Sequence, residues 1–209
     1  FTYVVSNKKN NGTDIPKILR DTELWFVPIV NPDGYDYTFQ SKATRLWRKN
    51  LRDVNGDGAI APGDGVDPNR NWPVKWNYDL EGSSAESTSE TYHGTGPASE
   101  SEVAALEALT KRIKPKFQID YHSFGNLILY PEGWQVETKA GDDPLFTTLA
   151  GDDRKPAIDK YDPDLSAELY TVNGDIADNS LEKFGVQTVT VELDGAVLVI
   201  SAVEGVQAQ

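Results

Sequence analysis

The stretch FQIDYHSFGNLILYP, residues 117–131, constrains the fold of this chain more than any other. Phe117, Ile119 and Tyr121 alternate with Gln118, Asp120 and His122, the two-residue period of a strand. Ser123 and Gly125 break the run, and a second apolar segment follows. In an α/β sheet, a strand that ends on an imidazole presents it to the crevice where such sheets bind ligands. A lone imidazole there is also compatible with a structural role, so the rest of the chain has to decide.

Around this stretch the chain alternates between strand and helix patterns. ELWFVPIV (residues 23–30) reads as a strand buried on both faces. It stops at the turn formers Asn31-Pro32-Asp33-Gly34. Ser99 with Glu102 makes a capping box, and Val103, Leu106 and Leu109 continue at helical spacing until Pro115. Residues 142–151 read as a second helix with Pro144 near its start, and Ile176–Phe184 as a third, closed by Gly185. VQTVTVEL (residues 186–193) is a β-branched strand with Glu192 near its end. Phe1–Lys8 reads as the end of a helix, Asn10–Thr13 as a loop and Pro16–Arg20 as a helical turn. The alternation predicts an α/β fold: a mixed, largely parallel sheet with helices on both faces, incomplete at its N-terminal side. The whole of residues 1–209 is expected to form a single partial domain. Residues 35–76 lack periodicity, but Trp47, Trp72 and Trp76 make them too aromatic for disorder. They are expected to be ordered and to face the substrate.

Composition removes several functions. A net charge of -13 disfavours a nucleic-acid partner and fits a secreted protein. No apolar run approaches the ~20 residues that cross a bilayer. Without Cys, disulfide and thiol chemistry are excluded. Any imidazole chemistry must use His93 or His122, and His93, in Tyr92-His93-Gly94, reads as a loop residue. The absence of Met leads to the expectation of a processed chain or a fragment.

Three polar groups could carry chemistry: Arg45–Asn50, Gly65–Trp72, and the set His122, Tyr170 and Glu192. The first is a basic cluster in an acidic protein. It reads either as a solvated loop or as a fork for a carboxylate, which a guanidinium matches with paired donors. Glu192, taken alone, also reads as a surface acid at a strand end.

Asn31-Pro32-Asp33-Gly34-Tyr35, Trp47-Arg48-Lys49-Asn50, Gly65-Val66-Asp67-Pro68-Asn69-Arg70-Asn71-Trp72, His122-Ser123-Phe124 with Leu129-Tyr130-Pro131, Leu169-Tyr170 with Gly174-Asp175, and Glu192-Leu193 follow in this order. Together they resemble the zinc metallocarboxypeptidases, the carboxypeptidase A-like (peptidase M14) family, from about Glu23 to Leu193. The resemblance implies hydrolysis of a C-terminal peptide bond by metal-activated water. It makes His122 a zinc ligand, Glu192 the general base and Arg48 the cation that holds the oxyanion. It assigns Asn69 and Arg70 to the substrate's terminal carboxylate, Tyr170 to a mobile phenol over the substrate, and Ser123 and Asp175 to substrate binding. Asp175 would favour Lys or Arg in the terminal pocket and Ala177 leaves room for apolar side chains, so a mixed preference is expected.

The sequence also departs from the family. Two further zinc ligands come, in the family, from a His-x-x-Glu motif upstream of the strand that ends at Asn31-Pro32-Asp33-Gly34, and no His-x-x-Glu occurs here. The chain as given is therefore expected to bind zinc poorly and to be inactive by itself. It should also lack the first strands of the sheet and expose an edge. Phe124 stands where the family usually has Tyr, and Asp194–Gln209 does not resemble the family's closing helix.

Asp53-Val54-Asn55-Gly56-Asp57-Gly58-Ala59-Ile60-Ala61-Pro62-Gly63-Asp64 fits a calcium loop, independently of the family. Asp53, Asn55 and Asp57 take the first, third and fifth positions, Ala59 offers its carbonyl and Asp64 replaces the usual Glu. The same residues read as an acidic, Gly-rich turn. Calcium there would stiffen the arms bearing Arg48 and Asn69/Arg70. The leading expectation is a monomeric, secreted carboxypeptidase acting on peptide or protein C-termini, with no nucleic-acid or membrane partner. The alternatives are a non-catalytic carboxypeptidase-like binding module, an M14 peptidase acting on peptidoglycan peptides, and a calcium-binding scaffold.

Overall fold

The computed structural model describes residues 9–10, 13–136 and 138–194. Its contacts gather into two units, Phe1–Pro32 and Asp33–Gln209. The expected helix end at Phe1–Lys8 and the segment after Asp194 lie outside the described residues.

In the first unit, strands β1 (Lys9–Asn10) and β2 (Thr13–Asp14) pair antiparallel, where the sequence suggests a plain loop. Helix α1 (Ile15–Asp21) follows. Asp14 caps it by accepting a hydrogen bond from the Lys17 N–H at 3.1 Å, and Pro16 sits in its first turn. Glu23–Val30 is not a strand, contrary to expectation, and its large apolar side chains are all at least 40% exposed. Burial on both faces needs a layer on each side. The described part of this unit, one short helix and one two-residue hairpin, is too small to supply them.

Helix α2 (Pro32–Tyr37) replaces the expected turn at Asn31-Pro32-Asp33-Gly34. Pro at the first helical position and Asp33 in the first turn suit a helix N-terminus as well as a turn. The sheet of the second unit contains β3 (Phe117–Ser123), β4 (Leu127–Tyr130), β7 (Asp162–Leu165) and β8 (Gln187–Leu193) in the order β3-β8-β4-β7. β3 runs parallel to β8, β4 antiparallel to β8, and β7 parallel to β4, which is the mixed, mostly parallel sheet expected. A two-residue pair, β5 (Gly151–Asp152) and β6 (Lys155–Pro156), stands apart from it.

Helices α3 (Ser101–Ile113), α4 (Asp143–Ala150), α5 (Ser166–Leu169) and α6 (Ile176–Phe184) complete the unit. The capping box is not formed. α3 starts after Glu100 with no side-chain cap, because Ser99 and Glu102 are recruited from afar. Asn71 Nδ2 donates to Ser99 Oγ, and Asn50 Nδ2 donates to Glu102 Oε1. These two asparagines also order the long aperiodic segment. Asn50 Oδ1 accepts from Val66 N–H, and Asn71 Oδ1 from Glu100 N–H. Both are buried, where an unmet amide would be costly.

Among the described residues, β3 is an edge strand. Phe117, Ile119 and Tyr121 on one face are each more than half exposed. Gln118, Asp120 and His122 on the other face are partly buried, and Gln118 Oε1 accepts from Ser180 Oγ of α6 at 3.4 Å. The polar face of β3 is therefore turned towards α6.

Candidate active site

The parallel pairing of β3 with β8 sets His122 in register with Glu192. Register partners on neighbouring strands project from the same face of a sheet, about 4.8 Å apart. Both side chains are partly buried. Burial pushes the His122 imidazole down to about 4, helped by the positive fields of Arg48 and Arg70 and opposed by Asp67. Burial raises the Glu192 carboxyl, and Arg48 works against that rise. Burial disfavours the Arg48 charge in turn, but its ion pair with Asp67 outweighs this, with smaller help from Tyr170 and Glu192. The charges of His122, Glu192, Arg48, Arg70 and Tyr170 thus lie within electrostatic reach of one another.

Asp67 organises the guanidiniums. It is 1% exposed. Its Oδ2 accepts from Arg48 Nε at 2.8 Å and lies 3.8 Å from an Arg70 terminal nitrogen. Its Oδ1 caps the 3-10 turn Pro68–Arg70 by accepting from Asn69 N–H at 3.0 Å. Asp67 stands inside a motif that the sequence singles out, yet its role is invisible there. The available signal is the Asp-Pro-Asn pattern of a capped turn.

The 3-10 turn presents Asn69 and Arg70. Asn69 Oδ1 accepts from Ile176 N–H at 3.0 Å, tying the turn to the start of α6 and leaving the amide nitrogen as the donor it offers a ligand. Arg70 is 4% exposed, donates from one terminal nitrogen to the Asn69 carbonyl at 2.7 Å, and keeps its Nε buried without a hydrogen-bond partner. A buried donor left unmet is costly unless a ligand supplies the acceptor. Asp175 caps α6, accepting from Asp178 N–H at 2.8 Å. Burial pushes its carboxyl up to about 6, against the pull of Arg70.

Tyr170 ends α5 in extended backbone and is 53% exposed. Ser123 is exposed at the end of β3. Of the basic cluster, Arg48 pairs with Asp67 at 2.8 Å. Arg45 stacks over Phe39 at 5.2 Å, and Lys49 is buried with its Nζ donating to the Ser87 carbonyl at 2.7 Å. His93 is a buried loop residue, held edge-on by Trp76 and stacked on Tyr92.

No group of three or more His, Cys, Asp or Glu that could hold a metal ion exists among the described residues. Zinc sites use three or four protein ligands, of which His122 would be one. The calcium expectation finds no support. Asp53 accepts from the Gly56, Asp57 and Gly58 amides, Asp57 from Ala59 N–H, and Asp64 from Val54 and Ala61 N–H. Asn55 Nδ2 donates to Asp57. The loop's carboxylates cap its own backbone, which is the acidic-turn reading of the same residues.

The family model described as zinc carboxypeptidase, Peptidase M14, matches residues 2–200. Metallocarboxypeptidase A of Trichophyton tonsurans is 36% identical over 203 residues, 92% of this chain and 46% of that protein. Carboxypeptidase A4 of Mus musculus is 41% identical over 124 residues, 59% of this chain and 28% of that protein. Among solved structures, thrombin activatable fibrinolysis inhibitor superposes with a TM-score of 0.70 at 29% identity, over 85% of this chain and 44% of that one. Carboxypeptidase A from Helicoverpa armigera superposes with a TM-score of 0.65 at 28% identity, over 80% of this chain and 41% of that one. The chain spans less than half the length of each of these relatives.

Proposed function

The chain belongs to the zinc carboxypeptidase family, Peptidase M14, and from that premise we propose that it forms the carboxylate-binding and proton-transfer part of a metallocarboxypeptidase domain. The substrate is a peptide or protein C-terminus. The family match runs across both units, which supports treating them as one partial catalytic domain. Extracellular action belongs to the same proposal and is supported by the acidic composition. Among the described residues no helix is long and apolar enough to cross a membrane.

Each residue has a role in this reading. The buried Nε of Arg70 and the Asn69 amide bind the terminal carboxylate, which fixes the last peptide bond in the cleft. Arg48, held by Asp67, faces the carbonyl oxygen on which charge develops. Glu192 takes the proton of the attacking water and passes it to the leaving amine. Its raised affinity for protons, caused by burial, suits that task. Tyr170, exposed at the rim, closes over the bound residue. Ser123 adds a hydroxyl at the strand end. His122 is the one imidazole of the cleft that this chain offers to zinc. The observation that carries the reading is the unmet Arg70 Nε beside the Arg48, His122 and Glu192 fields.

The donor set favours a second reading for the chain taken alone, in which it binds C-termini without cleaving them. One experiment tests the shared core of both: titration with a peptide free acid and its C-terminal amide. The acid should bind and the amide bind about tenfold or more weakly, with Arg70→Gln removing the difference. Equal binding of acid and amide would refute the carboxylate site. Release of the C-terminal residue by this chain with added zinc, or its lack, separates the two readings.

A further inference from the structure

Glu100, the residue just before α3, is 3% exposed and stands outside the motifs that carry the site. Its carboxylate is fully engaged by donors. Oε2 accepts from Asn50 Nδ2 at 2.7 Å, Oε1 from Ser99 Oγ at 2.7 Å, and both oxygens lie 3.0 Å from Arg52 Nε. Ser99 Oγ in turn accepts from Asn71 Nδ2 at 3.0 Å, so the carboxylate reaches Asn71 through one hydroxyl. The Glu100 backbone N–H also donates to Asn71 Oδ1, at 3.1 Å. One buried residue thus ties down two asparagines from different segments. Asn50 lies two residues after Arg48, and Asn71 directly follows Arg70. The segments also pair with each other: Asn50 N–H donates to the Val66 carbonyl at 2.9 Å, and Asn50 Oδ1 accepts from Val66 N–H at 2.7 Å.

We propose that Glu100 is a positioning residue for recognition of the terminal carboxylate. It fixes the segment bearing Arg48 through Asn50, and the turn bearing Arg70 through Asn71. This inference rests on the reading of Arg70 as the carboxylate anchor, and Glu100 acts only through the two guanidiniums. Donors aimed at a ligand need support from rigid elements, because errors of about 1 Å weaken them heavily. The start of a helix provides that support here, and bonds to an ionised carboxylate are the strong ones. A carboxylate at this place also suits the positive end of α3. That role by itself would change stability and leave ligand discrimination untouched, which separates the two.

The test is an NMR titration of the full chain with N-acetyl-L-leucine and N-acetyl-L-leucinamide. The unmodified chain should bind the acid about tenfold or more tightly than the amide, and the acid should shift the Arg70 Nε–H signal. Glu100→Gln keeps the backbone N–H, the side-chain length and one acceptor, so urea unfolding should show it folded with a lower midpoint. It turns the other acceptor into a donor that faces the donors of Asn50, Arg52 or Ser99. Its acid-to-amide ratio should therefore fall about threefold or more. Its Arg48 Nε–H signal, which reports the bond to Asp67, should move as well. Glu100→Ala, where it folds, should enlarge both effects. A ratio unchanged in folded Glu100→Gln, however far the midpoint falls, would make Glu100 a helix stabiliser only. That result would overturn the proposal and leave the carboxylate anchor standing. An unmodified chain that binds acid and amide equally would remove the anchor and the proposal together.

Discussion

Glu192 sits opposite His122 in the parallel ladder between β3 and β8, so backbone hydrogen bonding alone sets their spacing. Such a pair is held by rigid elements rather than by a loop. Glu192→Gln keeps the shape and removes the base. In the zinc-complete domain, hydrolysis should fall about 10²–10⁴-fold, while the affinity of this chain for a peptide free acid stays within about twofold. A comparable loss in both measurements would assign Glu192 to binding instead.

Asp67 holds two guanidiniums while almost wholly buried. Removing one partner of a buried ionic cluster leaves the others uncompensated. Asp67→Ala should therefore destabilise the fold by about 3 kcal/mol, read as a lower urea midpoint. It should also weaken free-acid binding, because Arg48 and Arg70 lose their shared anchor. Asp67→Asn retains the acceptor for Asn69 N–H and should cost less. A midpoint unchanged in the alanine variant would show that the pairings contribute nothing.

Much of this site was legible in one dimension because strand and helix ends were. Gln187–Leu193 and Ile176–Phe184 lie close to where alternation, spacing and Gly185 put them, and those ends carry Glu192 and Asp175. The illegible parts depend on partners far away in the chain. Ser99 and Glu102 look like a cap until Asn71 and Asn50 claim them. Asp67 looks like one motif residue among many until the fold brings Arg48 against it. Glu23–Val30 reads as a buried strand because its composition is apolar, but burial depends on the layers around it.

Glu132, Asp175 and Asp178 crowd between the residues after β4 and helix α6, where Asp178 accepts the Gly133 N–H with both oxygens. Burial pushes Glu132 up to about 7 and Asp175 up to about 6; burial and its acidic neighbours raise Asp178 well above the carboxylate range. The folded chain thus holds protons that the unfolded chain releases near pH ~4. Their contribution to stability is complete below that point and is lost as pH rises through about 6 to 7. Asp64, held down by the Val54 and Ala61 amides, acts in the opposite sense at lower pH. So does His122, held by burial at about 4, up to its unfolded value of ~6.5. Asp120, pushed by burial up to about 7, adds to the loss. The melting temperature should therefore fall between pH ~5 and ~8, by the equivalent of about 2 kcal/mol, and Asp178→Asn should flatten that slope. A melting temperature that rises over this range would contradict the account.

Gly174 and Gly185 share a φ of +68°, yet they should respond differently to a methyl group. At Gly185, which closes α6, an added Cβ meets nothing within 4 Å. Gly185→Ala should cost only the left-handed backbone penalty, about 1–2 kcal/mol. At Gly174 the same Cβ would come within 2.7 Å of the Arg70 carbonyl oxygen and 3.0 Å of that of Trp72. Backbone cannot give way there without breaking the Trp72 N–H to Gly174 carbonyl bond that lays the segment before α6 against the Arg70 turn. Gly174→Ala should therefore lower stability by at least about 1 kcal/mol more than Gly185→Ala. It should also weaken binding of a free-acid peptide, since Asn69, Arg70 and Asp175 are positioned across that contact. Urea unfolding of the two variants side by side checks the first claim. Equal losses would mean that the close approach is relaxed at no cost and that the Arg70 turn does not depend on Gly174.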